Sequence, residues 1–132
     1  MCIFCKIVNG EIPSYKVYED DSYLAFLDIS QATIGHTLVI PKKHYENIFE
    51  LPEDSKIFQI VTKLSKAVKK ATNAQGVNIL NNNGEAAGQT VKHFHIHIIP
   101  RYENDNFTIN FPSNSLSQEE FNNLTNKLKQ AI

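Results

Sequence analysis

The run His93-Phe94-His95-Ile96-His97-Ile98 alternates without a break between imidazole and apolar side chains. In extended backbone, successive side chains point to opposite faces. The run is therefore predicted to be a strand with one histidine face and one core face, the imidazoles standing roughly 6.6 Å apart. One reading is a solvated face filled by polar residues, but Lys, Thr or Glu would serve there equally well. The row takes three of the chain's five histidines, which argues against that reading. A second reading is a metal site made by the triplet itself. Such sites recruit further His or carboxylate ligands, yet the run holds no acid and Glu103 follows only after Pro100. A third reading is nucleophilic imidazole. A neutral histidine with a pKa near 6.5 attacks well if its other ring nitrogen is fixed and nearby donors stabilise charge on the electrophile.

The loop from Asn81 to Thr90 ahead of the row is polar and carries Gly84 and Gly88 with the amides and hydroxyl of Asn83, Gln89 and Thr90. Glycines let backbone N–H groups approach an anion closely. A plain turn has the same composition. Its position directly before the histidines makes it read as half of a phosphate site.

Around this centre the chain reads as α+β. A short N-terminal helix over residues 2–9 ends at Gly10, and Tyr15–Glu19 and Tyr23–Ile29 form a hairpin about Asp20-Asp21-Ser22. A third strand, His36–Ile40, stops at Pro41. Residues 55–73 form the long helix, with Ile57, Ile60, Val61, Leu64, Val68 and Ala71 as one buried stripe and Lys63, Lys66 and Lys70 on a solvated face. Val77–Leu80 is a fourth strand, and His93–Ile99 a fifth, stopped by Pro100. The alternation of Phe107, Ile109 and Phe111 fits an edge strand or a loop packing its aromatics. Ser117 and Glu120 form a capping box that opens a C-terminal helix with Phe121, Leu124 and Leu128 on one face. Five strands with one long helix between the third and fourth imply a mostly antiparallel five-stranded sheet in a single domain, residues 1–132.

With 13 basic and 14 acidic residues the net charge is −1, so no general field attracts nucleic acid or acidic lipid, and an anionic ligand must be held by local groups. The start of the chain lacks a signal-peptide pattern and no apolar run has membrane-spanning length, so a cytoplasmic address is expected. In that compartment the triplets beginning at Asn106 and Asn123 carry no sugar. Cys2 and Cys5 are then expected to be thiols or metal ligands rather than a structural disulfide.

The segment Gly88-Gln89-Thr90-Val91-Lys92-His93-Phe94-His95-Ile96-His97-Ile98-Ile99 resembles the signature of the histidine-triad (HIT) superfamily. The resemblance extends through Ile3-Phe4-Cys5-Lys6-Ile7, Phe26-Leu27-Asp28-Ile29 and Gly35-His36-Thr37-Leu38-Val39-Ile40-Pro41-Lys42-Lys43-His44, covering residues 2 to about 102. Among its branches, the chain is most similar to the Hint-like bacterial nucleotide hydrolases, with the Fhit branch more distant.

The resemblance implies the HIT fold, a homodimer, and hydrolysis at the α-phosphate of a purine nucleotide, AMP or GMP. His95 would be the nucleophile that forms a nucleotidyl-histidine, and His97 would contact the phosphate oxygens. His36 would help to position the nucleophile or handle the leaving-group proton. Asn82 and Thr90 fall on phosphate and leaving-group contacts, Gly88 on a backbone donor, and Gln89 on the same loop, either as a further contact or only holding the loop. Asp28 matches the residue that grips the ribose hydroxyls, which suits a carboxylate accepting from two adjacent donors. It could equally shape the turn at a strand end. Ile3, Phe4, Ile7, Phe26, Leu27 and Ile29 match the apolar slot around the base, although composition alone would place them in the core.

Cys2-x-x-Cys5 supplies half of a tetrahedral zinc site. The resemblance offers His44 and His93 as the other half, making the zinc structural; reduced thiols or a redox pair are the other readings. The activity implied is nucleoside 5′-phosphoramidate hydrolysis. Dinucleoside polyphosphate hydrolysis is the chemical alternative, and a purine-nucleotide-binding regulatory module the alternative of another class.

Overall fold

Pairing begins at the hairpin of β1 (Lys16–Glu19) and β2 (Tyr23–Leu27), whose turn is tied by the Asp20 carboxylate accepting from the backbone N–H of Ser22 and Tyr23 at 2.8 and 2.7 Å. The computed structural model describes residues 2–132. With β3 (Thr37–Pro41), β4 (Gly76–Leu80) and β5 (Ile96–Arg101) these strands make one sheet in the order β1-β2-β3-β5-β4, and each neighbouring pair is antiparallel. The helices are α1 (Ile3–Val8), α2 (Ile57–Thr72) and α3 (Gln118–Ala131), so the expected α+β architecture holds.

Alternation divides the sheet into two faces. Ala25, Val39, Ile96 and Ile98 point to one side and pack with Phe94 against Ile57, Val61 and Leu64 of α2. Leu24, Phe26, Leu38 and Ile40 point to the other and pack against Phe4 and Ile7 of α1. His97 pairs with Leu38 and Leu80, so it belongs to the α1 face. The long helix therefore anchors the sheet from behind, and the short one shapes the front. Ala71, expected in the buried stripe of α2, is exposed; the other five positions are buried or half-buried, and Lys63, Lys66 and Lys70 lie in solvent.

Pro41 ends β3 as expected, whereas β5 runs one residue past Pro100, for a geometric reason. Alternate residues of a strand turn their N–H and C=O to opposite neighbours. Gln75 N–H bonds the Arg101 carbonyl, so Arg101 faces β4 and Pro100 faces the other way, where its carbonyl accepts from Thr33 Oγ1 at 2.6 Å. The β3 ladder has ended by then, at Ile98, and the missing N–H leaves no partner unsatisfied. Lys42 N–H likewise bonds Ser22 on the β2 side, which leaves Pro41 facing away from it.

The expected strand over His93–Ile99 begins only at Ile96. Phe94 N–H bonds the Tyr45 carbonyl at 2.7 Å, and the His95 carbonyl accepts from Asn81 Nδ2 at 2.8 Å, so loop partners replace a ladder there. Phe107, Ile109 and Phe111 form no strand. Arg101 fastens this tail instead, bonding Asn78 Oδ1, both Asp105 oxygens and the Phe107 carbonyl, with its guanidinium over the Phe107 ring. The capping box of α3 forms as read, but its Phe121, Leu124 and Leu128 are 54, 46 and 59 % exposed.

Candidate functional site

At the front of the sheet α1 brings Cys2 and Cys5 beside His44 and His93. Cys2 is also the N-cap of the helix, its sulfur accepting from the Cys5 backbone N–H at 3.2 Å, which turns both thiols to one side. The two sulfurs lie 3.2 Å apart and the Nδ1 atoms of His44 and His93 also 3.2 Å apart. The four sulfur–nitrogen distances are 3.3 to 3.6 Å. Six edges so nearly equal describe a tetrahedron whose corners stand about 2.1 Å from its centre, the radius at which zinc takes thiolate and imidazole ligands. His93 Nε2 donates to the Pro41 carbonyl at 2.8 Å, so its Nδ1 is the nitrogen that carries the free lone pair toward the cluster. This donor set fits a closed, structural site.

The row continues from there although the strand does not. Phe4 meets His93 and His95 edge-on at ring separations of 6.0 and 5.1 Å, and His95 and His97 lie 5.0 Å apart. The expected shared face is therefore present, supported by an aromatic ring from α1.

Hydrogen bonds fix the protons of these rings. His95 Nδ1 lies 2.7 Å from the His93 carbonyl, which can only accept, so Nδ1 carries the hydrogen and Nε2 keeps its lone pair. Burial lowers the pKa of His95, which keeps the ring neutral. A second chain runs through His36. The Ala32 N–H donates to His36 Nδ1 at 3.2 Å, so His36 Nε2 holds the hydrogen and gives it to His97 Nδ1 at 2.8 Å. His97, the remaining ring, keeps its hydrogen on Nε2. Burial, followed by the neighbouring charges of His95 and His36, holds His97 down at about 4; burial also lowers His36. Asp28 Oδ2 stands 3.6 Å from His36 Nε2, and with His36 neutral this is a polar contact rather than an ion pair.

In front of the row lies a cleft of about 250 Å³. One wall is Ile3, Phe4 and Ile7, the facing wall Phe26, Leu27, Asp28 and Ile29, and Thr90, His95 and His97 close the end. Every expected slot residue lines it. Ile29 is 86 % exposed and forms the open lip, which a core residue would not. His36 is buried behind His97, bonds it at 2.8 Å and does not itself line the cleft.

Three expected contacts lie outside that lining. Gln89 is spent on its own loop: Oε1 accepts from Gly84 N–H, and Nε2 donates to the Glu46 and Val91 carbonyls. Gly88 adopts a positive φ of 86° as the end of a 3₁₀ turn over Glu85–Ala87, with the Asn82 amide nitrogen 3.8 Å from where a β-carbon would stand. Asn82 and Gly88 thus share one corner of the loop, and Gln89 braces it.

The HIT domain family model matches residues 9–104. The chain belongs to the HIT family. A Bacillus subtilis relative, Protein hit, is 58% identical over 103 residues, 76% of this chain and 71% of that one. An adenosine 5′-monophosphoramidase of Candida albicans is 38% identical over 138 residues, 99% of this chain and 91% of its own. The crystal structure of a HIT family protein from Bacillus anthracis superposes with a TM-score of 0.94 at 50% identity, covering 99% of this chain and 96% of that one.

Within this HIT domain some functional positions carry no motif. Asn81 secures the His95 carbonyl and is itself held by Asn83 Nδ2. Gln31 bonds the Asp28 and His36 carbonyls and accepts from Gly35 N–H, closing the turn that presents both residues. Ile12, Pro13, Ser14, Leu38 and Val91 complete the cleft lining. Asn81 and Gln31 stand in polar loops where any amide looks alike, and only the fold reveals which backbone groups they serve.

Proposed function

We propose that this chain hydrolyses nucleoside 5′-phosphoramidates through a covalent nucleotidyl-histidine at His95. The chain is a hydrolase of the HIT family, and relatives matched over nearly their whole length, from Candida albicans and Schizosaccharomyces pombe, are adenosine 5′-monophosphoramidases. The observation that carries the finer reading is the bond from His95 Nδ1–H to the His93 carbonyl. It leaves a neutral ring with a free Nε2 at the end of an apolar cleft.

The base would lie between the two apolar walls, with the ribose at Asp28 and the α-phosphate against the His95–His97 end. The Nε2 lone pair forms a bond to phosphorus as the P–N bond breaks. The leaving nitrogen takes that electron pair, collects a proton from solvent and departs as the amine. Water then attacks phosphorus, its proton passes to solvent, and the electron pair of the His95–phosphorus bond returns to Nε2. His97 Nε2–H donates to the phosphate oxygens, where negative charge grows, and His36 fixes the ring that makes this donation. A structural zinc held by Cys2, Cys5, His44 and His93 belongs to the same reading. With four protein ligands it has no open position and takes no part in the chemistry.

The chain is further read as a cytoplasmic homodimer joined through α2 and edge strand β4, where Phe58 and Ile79 are 49 and 46 % exposed. Turnover of adenosine 5′-phosphoramidate and of diadenosine polyphosphates by wild type and His95→Ala tests the proposal. The phosphoramidate is expected to be the better substrate, and His95→Ala to lose on the order of 10⁴-fold in kcat. Faster cleavage of the polyphosphates would move the assignment to that activity. AMP binding without any cleavage would make the chain a regulatory binding module, and full activity in His95→Ala would remove the mechanism.

A further inference from the structure

Ser14 lies in the extended stretch between α1 and β1 and lines the cleft, where the other polar side chains are Asp28, Thr90, His95 and His97. Its hydroxyl oxygen is enclosed and has no hydrogen-bond partner. An enclosed hydroxyl without a partner is unfavourable, and the slot is otherwise lined there by Ile12, Pro13 and the apolar side chains of α1.

Strand register says what stands across from it. Lys16 pairs with Phe26, and Leu27 N–H bonds the Tyr15 carbonyl at 3.0 Å, so one further step of the ladder sets Ser14 opposite Asp28. Of the two Asp28 oxygens, Oδ1 is held by Ser30 N–H at 2.8 Å, while Oδ2 has only His36 Nε2 at 3.6 Å. An acceptor with free capacity and a hydroxyl that can donate thus stand side by side on the sheet face that lines the cleft. A sugar hydroxyl matches both at once, because it donates one hydrogen and accepts another. Serine has a single side-chain torsion before its oxygen, so one step between staggered χ1 wells re-aims the hydroxyl.

We propose that Ser14 is a specificity-determining residue for ribose, its hydroxyl donating to the same sugar hydroxyl that donates to Asp28. The inference rests on the nucleotide reading of the cleft, with Asp28 at the sugar, and adds a partner on the neighbouring strand. It makes the site select a ribonucleotide by pairing donor and acceptor at one oxygen rather than by the carboxylate alone.

Calorimetric binding of AMP, 2′-deoxy-AMP and 3′-deoxy-AMP to wild type and Ser14→Ala tests it without requiring turnover. Ser14→Ala is expected to weaken AMP about tenfold and to leave one of the two deoxynucleotides within about twofold of its wild-type affinity, since that ligand lacks the shared hydroxyl. The Tm of the free variant is expected to be unchanged or raised, because the deleted hydroxyl bonds nothing. Equal weakening of all three nucleotides, or no weakening of AMP, overturns the inference. So does a lowered Tm with uniform loss, which marks a packing role. Binding without cleavage in wild type would defeat the hydrolase reading and leave this one standing, whereas a chain that binds none of the three defeats both.

Discussion

The ring of His95 is fastened by its Nδ1–H to the backbone carbonyl of His93, 2.7 Å away. Through that one bond the tautomer of the proposed nucleophile depends on a residue whose own ring faces two cysteines and His44. His93 is fixed at three points: its Nδ1 in the cluster, its Nε2 on the Pro41 carbonyl and its C=O on His95. The cluster and the His95 ring are therefore adjacent parts of one framework.

If that cluster holds zinc, the protein purified without chelator carries about one zinc per chain, and Cys5→Ser falls below about 0.2. Removing one ligand of a closed site costs several kcal/mol, so the variant's Tm should drop by on the order of 10 °C. Its kcat should fall as well, since His93 loses one of its anchors. Elemental analysis and a melting curve decide this; wild-type protein that folds normally with under about 0.2 zinc per chain would end the zinc assignment.

Asn81 holds the other side of His95 by donating to its carbonyl at 2.8 Å. Asn81→Ala leaves that carbonyl short of a partner, with a stability loss of about 1–2 kcal/mol. It touches neither base nor sugar in the proposed binding mode. The expected signature is a kcat lowered roughly tenfold to a hundredfold with KM nearly unchanged. A change in KM alone would show that Asn81 serves binding instead.

The division of the histidine row was legible because alternation survives even where strand pairing does not: Phe94 and Ile96 still reach α2 while His93 and His95 face α1. The strand boundary was not legible, since Tyr45 and Asn81, distant in sequence, capture the backbone that a ladder would have used. That β5 runs one residue past Pro100 has a related reason, as a proline breaks pairing only where its nitrogen faces a partner. The apolar slot was legible through the family resemblance alone; Phe4 and Phe26 are 7 and 4 % exposed and read as core by any other measure. Gln89 stayed open between a substrate contact and a brace of its loop because a loop amide is written the same way in either role; its bonds to Gly84, Glu46 and Val91 are those of the brace.

The neutral pair His36–His97 should leave a mark on acid stability. His97 is held at about 4, below its unfolded value near 6.5, and is faced by His36 from the turn before β3, Asp28 from the end of β2 and His95 from the segment before β5. Between those values the unfolded chain binds a proton that the folded chain refuses, so stability falls as pH drops from about 6.5 toward 4 and flattens below. His97→Asn removes that proton-binding difference. Urea unfolding at stepped pH should therefore show a shallower acid decline in the variant; parallel curves would mean that His97 is not held neutral by the fold.

Gly35 fixes the turn that delivers His36, and its environment forbids a side chain twice over. Its φ is +106°, a conformation that L-residues rarely adopt, and a Cβ there would stand 2.8 Å from Thr72 Cγ2 and 3.0 Å from Pro100 Cγ. Gly84, at φ +92°, and Gly10, at +79°, carry the same backbone restriction but have nothing within 4 Å. Alanine at Gly84 or Gly10 should cost about 1 kcal/mol from strain alone, whereas Gly35→Ala adds overpacking and should lose about 3 kcal/mol or more. Because His36 is the next residue, a shift of this turn also disturbs its 2.8 Å bond to His97. Gly35→Ala is thus expected to lower both Tm and kcat, and Gly10→Ala to lower Tm only slightly with kcat intact. Equal Tm losses for the three alanine variants would show that helix α2 and Pro100 yield easily, and that the turn before His36 is not braced by them.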